Sequence, residues 1–144
     1  MTVDNQTRYG DGMAPPEPDI TCTLVAMERS ALERWRKGDP DGFLEISSAD
    51  VSYFDPFTES RLDGLPALRG WYEQIRGKIQ IEHFELIEPR VQAAGDVAVL
   101  TFRFHSRGSE GEMQWNTTEV YQKTSGTWRI IHSHWAFHRP KIAA

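Results

Sequence analysis

The 144-residue chain contains one cysteine, Cys22, so no intrachain disulfide can form. A reducing compartment, the cytoplasm, is therefore expected. No apolar run approaches the roughly 18 residues that a membrane-crossing helix needs, and the first residues lack the apolar stretch of a signal peptide. Positive charge is in deficit: 16 Lys and Arg against 21 Asp and Glu leave a net charge of −5. That argues against nucleic acid or an anionic membrane as the main partner. No GxGxxG, GxxxxGK[ST], HExxH or GxSxG segment occurs, so no nucleotide cofactor is expected. Aromatic residues are plentiful, at 7 Phe, 5 Trp and 4 Tyr, and hydrophobic residues make up 39%. One packed domain with an apolar pocket is within reach of such a chain.

Residues 1–18 are polar and rich in Pro and Gly and read as a disordered leader or arm, leaving 19–140 as a single domain. Asp19 can cap a helix on which Ile20, Leu24, Met27, Ala31 and Trp35 recur at helical spacing. Gly38-Asp39-Pro40 ends it and starts a short second helix that buries Phe43, Leu44 and Ile46. A strand at 51–54 stops at Asp55-Pro56, and a third helix follows near 65–76. Beyond Gly77, four strand-like runs (79–93, 96–106, 112–124, 127–138) are separated by turn residues. Helices first and a strand meander last is an α+β order. It implies a cone-shaped, curved antiparallel or mixed sheet with three N-terminal helices packed on its concave face, and an open mouth that can hold a ligand.

Strand parity then sorts side chains. Trp115, Thr117, Glu119 and Tyr121 share one face of the third run, with Asn116, Thr118, Val120 and Gln122 on the other. In the last run, Trp128, Ile130, His132, His134 and Ala136 share a face opposite Arg129, Ile131, Ser133, Trp135 and Phe137. Neither face is purely apolar, so both are expected to be covered, one by helices and pocket, the other by a partner subunit. Glu119 sits among aromatic and β-branched residues, where burial would raise its pKa and fit it for acid or base work. It could equally pair with Arg103 or Lys123 on the surface. Asp55 is either a carboxylate on a rigid corner or the ordinary mark of a turn. His132 and His134 lie about 7 Å apart along a strand. With His105 or Glu119 they could ligate a metal, but hydrogen-bonded pocket or interface histidines are the simpler reading, and no metal is expected. Cys22 reads as a buried, inert thiol, and His83 and His138 have no assigned role.

Several segments together resemble the nuclear-transport-factor-2-like superfamily, in its SnoaL-like and ketosteroid isomerase branches. They are W-x-x-GDPDGF (35–43), a strand ending in FDP (54–56), a loop with Gly64, and the helix LPALRGWYEQI. The terminal TEVYQKTSGTWRIIHSHWAF (118–137) resembles the final hairpin of SnoaL-like and calcium/calmodulin-dependent kinase II association domains. The resemblance spans about residues 20–138. It implies the helix-covered curved sheet, commonly a homodimer through the outer sheet face. It also implies that Asp55 matches the isomerase's proton-shuttling aspartate and Glu119 its protonated oxyanion-hole carboxyl group. The isomerase's oxyanion-hole tyrosine on the first helix aligns with Ala31. Loss of that donor should weaken enolate stabilisation by about 3–4 kcal/mol.

Three functions are compatible with these residues. In the first, an isomerase, cyclase or dehydratase acts on a small apolar carbonyl compound. Asp55 is its general base, Glu119 and His134 bond the oxyanion, and Trp35, Tyr53, Trp71, Trp115 and Tyr121 form the walls. In the second, a non-enzymatic binding or association module takes a carboxylate-bearing molecule through Arg103, His105, His132 and His134. In the third, Asp55, Arg103 and Glu119 form an epoxide hydrolase-like set. Phe43 and Phe54 read as core, and Trp135 and Phe137 as a dimer face.

Overall fold

Helix α1, Pro18–Arg36, places Leu24, Glu28, Ala31 and Leu32 on one buried stripe, the spacing of a single helical face. A computed structural model of the chain describes residues 18–109 and 111–138. Apart from Pro18, the expected leader lies outside the described residues, as do the Asp19 side chain and residues 139–140. The helix ends where Gly38 takes φ +90° and bonds back to the Trp35 carbonyl at 2.9 Å. A side chain at Gly38 would be strained by that φ and would crowd the Gly77 backbone at 3.0 Å. Asp39 then accepts the Asp41 N–H at 2.9 Å and the Arg34 guanidinium at 2.9 Å, which starts α2, Asp41–Glu45. Strands β1 (Ser47–Phe54) and β2 (Leu62–Asp63) precede α3 (Leu65–Ile75). The meander β3 (Ile81–Ala94), β4 (Val97–Gly108), β5 (Gly111–Thr124) and β6 (Thr127–Phe137) follows.

The six strands run in the order β2-β1-β6-β5-β4-β3. All pairs are antiparallel except β1 with β6, which are parallel, so the sheet is mixed. The three helices cover its inner face, and the core lies between them, from Leu24 and Leu32 to Leu100, Phe102 and Ile130. The register of the sheet slips at four places, two of them in the middle of long strands. In β3 the register slips between Ile87 and Arg90, where Glu88 takes φ +53° and Pro89 has no N–H to give the ladder. In β6, Val120 faces His132 but Tyr121 faces Ile130, which leaves Ile131 as an extra residue.

That extra residue corrects the strict parity expected for the last strand. Ser133, Trp135 and Phe137 lie opposite Glu119, Thr117 and Trp115 on the inner face. Past the bulge Ile130 also turns inward and is 1% exposed, while His132 and His134 stay outside. Other expectations change with it. Phe54 is not core but 36% exposed, packed on the rings of His132 and His134. Cys22 is exposed. No described helix is long and apolar enough to cross a membrane.

Candidate functional site

Inward-pointing positions of β1, β4, β5 and β6 and the inner faces of the helices enclose a cavity of about 530 Å³. That volume suits a small organic molecule. Its walls are mainly rings packed edge to face. Trp35 meets Tyr72 at 5.2 Å and Phe43 at 5.8 Å, while Trp135 meets Phe104 at 5.6 Å, Trp115 at 6.1 Å and Phe43 at 6.2 Å. At the rim Phe57, 58% exposed, packs on Phe137 at 5.7 Å and on Trp115 at 6.3 Å. Trp135 and Phe137 therefore line the cavity and are not an outer dimer face.

Asp55 stands on the cavity wall just past the end of β1, where Pro56 stops the strand. Its Oδ1 accepts the backbone N–H groups of Phe57 (2.7 Å) and Thr58 (3.0 Å). Its Oδ2 accepts the Tyr53 hydroxyl (2.9 Å) and the Trp71 indole N–H (3.0 Å). A carboxylate offers about four lone-pair sites, and here protein donors take four. Asp55 is thus both the turn former and a cavity group, and it can take a proton from a ligand only by releasing a donor. Burial pushes the phenols of Tyr53 and Tyr72 well above their usual value, so both remain hydroxyl groups.

Away from the cavity lining, Glu28 of α1 and Glu119 of β5 meet in the core with no solvent exposure. The Tyr121 hydroxyl donates to Glu28 Oε1 at 3.0 Å, and the Ser133 hydroxyl donates to Glu119 Oε2 at 2.5 Å. The Trp135 indole N–H in turn donates to Ser133 Oγ at 3.0 Å, tying the pair to the cavity wall. Glu28 Oε2 and Glu119 Oε1 have no other partner. Burial raises both carboxyl groups above the ordinary range, Glu28 strongly, with the negative charge of Glu119 adding to it. Two adjacent carboxylates cannot both ionise in so dry a place, so Glu28 keeps a proton and shares it with Glu119. Glu28 was missed in the sequence because it sits on the apolar stripe of α1. That position, four residues after Leu24 and three before Ala31, was the available signal.

The structure does not bring the remaining expected site residues to this cavity. Tyr121 is sealed beneath the wall. Glu119 is beneath it too, behind Ser133 and Trp135, and pairs with neither Arg103 nor Lys123. Arg103 and His105 face outward, because parity on β4 turns Leu100, Phe102, Phe104 and Ser106 inward, and His132 and His134 face outward because Ser133 and Trp135 alternate with them on β6. Arg103 lies 3.8 Å from Glu88, and His105 lies between Glu85 (3.9 Å) and Glu112 (3.6 Å). His132 Nδ1 is hydrogen-bonded to Ser52 Oγ at 2.7 Å, and partial burial lowers its pKa, with His134 adding to the effect. A pocket set of Asp55, Arg103 and Glu119 does not form, nor does an oxyanion site using His134. Among the described residues no group of three His, Cys, Asp or Glu side chains could hold a metal ion.

The family model for the SnoaL-like domain matches residues 26–139. The chain is similar to a candidate ketosteroid isomerase from Parabacteroides distasonis ATCC 8503. The two share 38% identity over 85% of this chain and 91% of that one, with a TM-score of 0.78. An NTF2-like protein of unknown function from Pseudomonas putida KT2440 shares 22% identity over 81% and 85%, with a TM-score of 0.73. The association domain of Caenorhabditis elegans CaMKII shares 18% over 83% and 96%, with a TM-score of 0.69. These last two likenesses concern the fold alone. No curated protein matches the chain.

Proposed function

The chain belongs to the SnoaL-like domain family, and we propose that it is a small-molecule-binding member that holds a flat, largely apolar ligand inside the cone. One observation carries this reading: a 530 Å³ cavity with a mostly apolar lining rich in aromatic rings, where Asp55, the only carboxylate among the described lining residues, is already held by four protein donors. Apolar area and ring edges supply the affinity, and the fixed Asp55 corner supplies shape. Burial of the ligand would displace water from the apolar wall, and the four donors on Asp55 stay paired.

A second reading, carbon-acid proton transfer with Asp55 as base, is favoured by the 38% identity to the candidate ketosteroid isomerase. It asks Asp55 to exchange one of its four donors for the substrate proton. One ligand tests both readings. 2-Tetralone is flat, apolar and bears acidic α-protons. It should quench the fluorescence of the four tryptophans on the wall and exchange its α-protons with solvent deuterium at equal rates in wild type and Asp55→Asn. Absence of quenching by flat ketones overturns the binding reading. A loss of exchange of about 100-fold or more in Asp55→Asn, the usual scale of a general base, makes Asp55 catalytic.

A further inference from the structure

Among the described residues, two side chains of opposite charge line the cavity, Asp55 on its wall and Lys78 at its mouth. Asp55 has four partners within the protein. Lys78 takes part in no ion pair or side-chain hydrogen bond among the described residues. The neighbouring cations differ: Arg76 is held by Asp39, Asp41 and Glu73, and Arg34 by Asp39 and Glu45. Among the described residues, Lys78 is therefore a cation at the cavity with no ion-pair partner, and it stands at the rim.

The backbone at the root of that side chain is fixed. Gly77 turns the chain out of α3 with φ +78° and donates its N–H to the Gly38 carbonyl at 2.9 Å. The Lys78 N–H bonds to Ile75 O at 3.0 Å. Two residues on, the Gln80 carbonyl presses against Gly108 so closely that any larger residue there would displace it. Residues 78–80 are thus pinned on both sides of the mouth. Gln80 and the buried Ser106 also line the cavity, so Lys78 is joined by two further hydrogen-bonding side chains in a lining that is otherwise mostly apolar.

We infer that the ligand is a flat, ring-bearing carboxylic acid, its rings in the aromatic cone and its carboxylate on Lys78 at the mouth. The inference rests on the binding reading above and adds the ligand's charge and its orientation. Asp55 reinforces that orientation, since a carboxylate placed inward would meet its negative charge. Lys78 recognises the acid as a point charge through an ammonium group with three donors. Desolvation of the ring end leaves the head group at the solvent edge, where screening by salt is felt.

The experiment compares 2-naphthoate with 2-naphthamide, which differ in head-group charge and little in shape. Wild type should bind the acid at least fivefold more tightly at low ionic strength, and the preference should shrink as salt is added. In Lys78→Gln the ratio of the two affinities should fall to about one, while Lys78→Arg keeps it above one. Thermal unfolding of each variant checks that it is folded. If wild type binds both ligands equally, or Lys78→Gln keeps the preference, the inference falls and the binding reading stands. If neither ligand binds wild type, both fall.

Discussion

Asp55 meets four donors at a half-exposed corner of the cavity, whereas Glu28 and Glu119, sealed in the core, meet two donors between them and otherwise only each other. The two places handle a carboxyl group in different ways. At Asp55, backbone N–H groups freed by a strand end and two side-chain donors surround the oxygens. In the core those donors are missing, because β5 and α1 spend their backbone groups on the ladder and the helix. A proton retained by the pair then becomes the donor that the protein does not supply. Carboxyl chemistry in this fold is therefore set by how many N–H and O–H groups the local backbone leaves free, more than by distance from the cavity.

The largest effect should come from removing one acid of the sealed pair. Glu119→Ala deletes the acceptor of Ser133, strands the Glu28 proton and opens a void beneath Trp135. Together these should cost about 3 kcal/mol, as for other buried truncations that leave polar atoms unpaired. Glu119→Gln keeps the volume, accepts from Ser133 and offers an N–H to Glu28, so its cost should be below about 1 kcal/mol. Denaturant midpoints of the two variants measure the difference. Equal losses would mean that the two carboxyl groups do not act as a pair.

A smaller effect, spread over pH, should separate the pair from the surface acids. Glu28 holds its proton above the ordinary value of 4.5, so the folded chain binds more protons than the unfolded chain across that interval. Its stabilising contribution is complete below the unfolded value and is lost as pH rises through the folded one. Asp39, Asp63, Glu33 and Glu73 have lowered values, so their contribution is present above the unfolded value and lost only as pH falls. The two windows lie on opposite sides of about pH 4.5. The stability of wild type, followed by thermal midpoints, should therefore decline as pH rises above about 4.5, by at most about 1.4 kcal/mol per pH unit for one proton, while the lowered His132 acts in the opposite sense just below its ordinary value of 6.5. Glu28→Gln should flatten the decline. A wild-type curve parallel to that of Glu28→Gln would show that no proton is shared.

The sequence made some of this legible and concealed the rest for definite reasons. The period of two on β5 put Trp115 and Glu119 on one face correctly, and the glycine and proline punctuation placed the helices. On β6 a bulge at Ile131 breaks the alternation between Ile130 and His132 and leaves no mark in the local pattern, so the sequence does not say whether Trp135 or His134 faces inward. Strand β2 is too short for any period. The parallel pairing of β1 with β6 joins segments far apart in the chain. Asp55-Pro56 announced a turn, and its place on the cavity wall depends on α3 bringing Trp71 beneath it. Glu28 was hidden by the apolar residues around it, which is also why it holds its proton.

The smallest effect comes from a matched deletion of one donor at each carboxyl site. Trp71→Phe removes the indole N–H from Asp55 Oδ2 but leaves three donors, and water reaches the half-exposed corner to fill the vacant lone pair. The cost should be about 0.5–1 kcal/mol, the net worth of one ordinary hydrogen bond. Ser133→Ala takes from Glu119 its hydroxyl donor where water has no access, and it also frees the Trp135 indole N–H. Its cost should reach about 2 kcal/mol, because an acceptor and a donor are then both left unpaired. Urea unfolding of the two variants at pH 7 gives the comparison directly. A larger loss for Trp71→Phe than for Ser133→Ala would place the more tightly held carboxyl group at the cavity and not in the core. The proton on Glu28 would then be incidental to the stability of the fold.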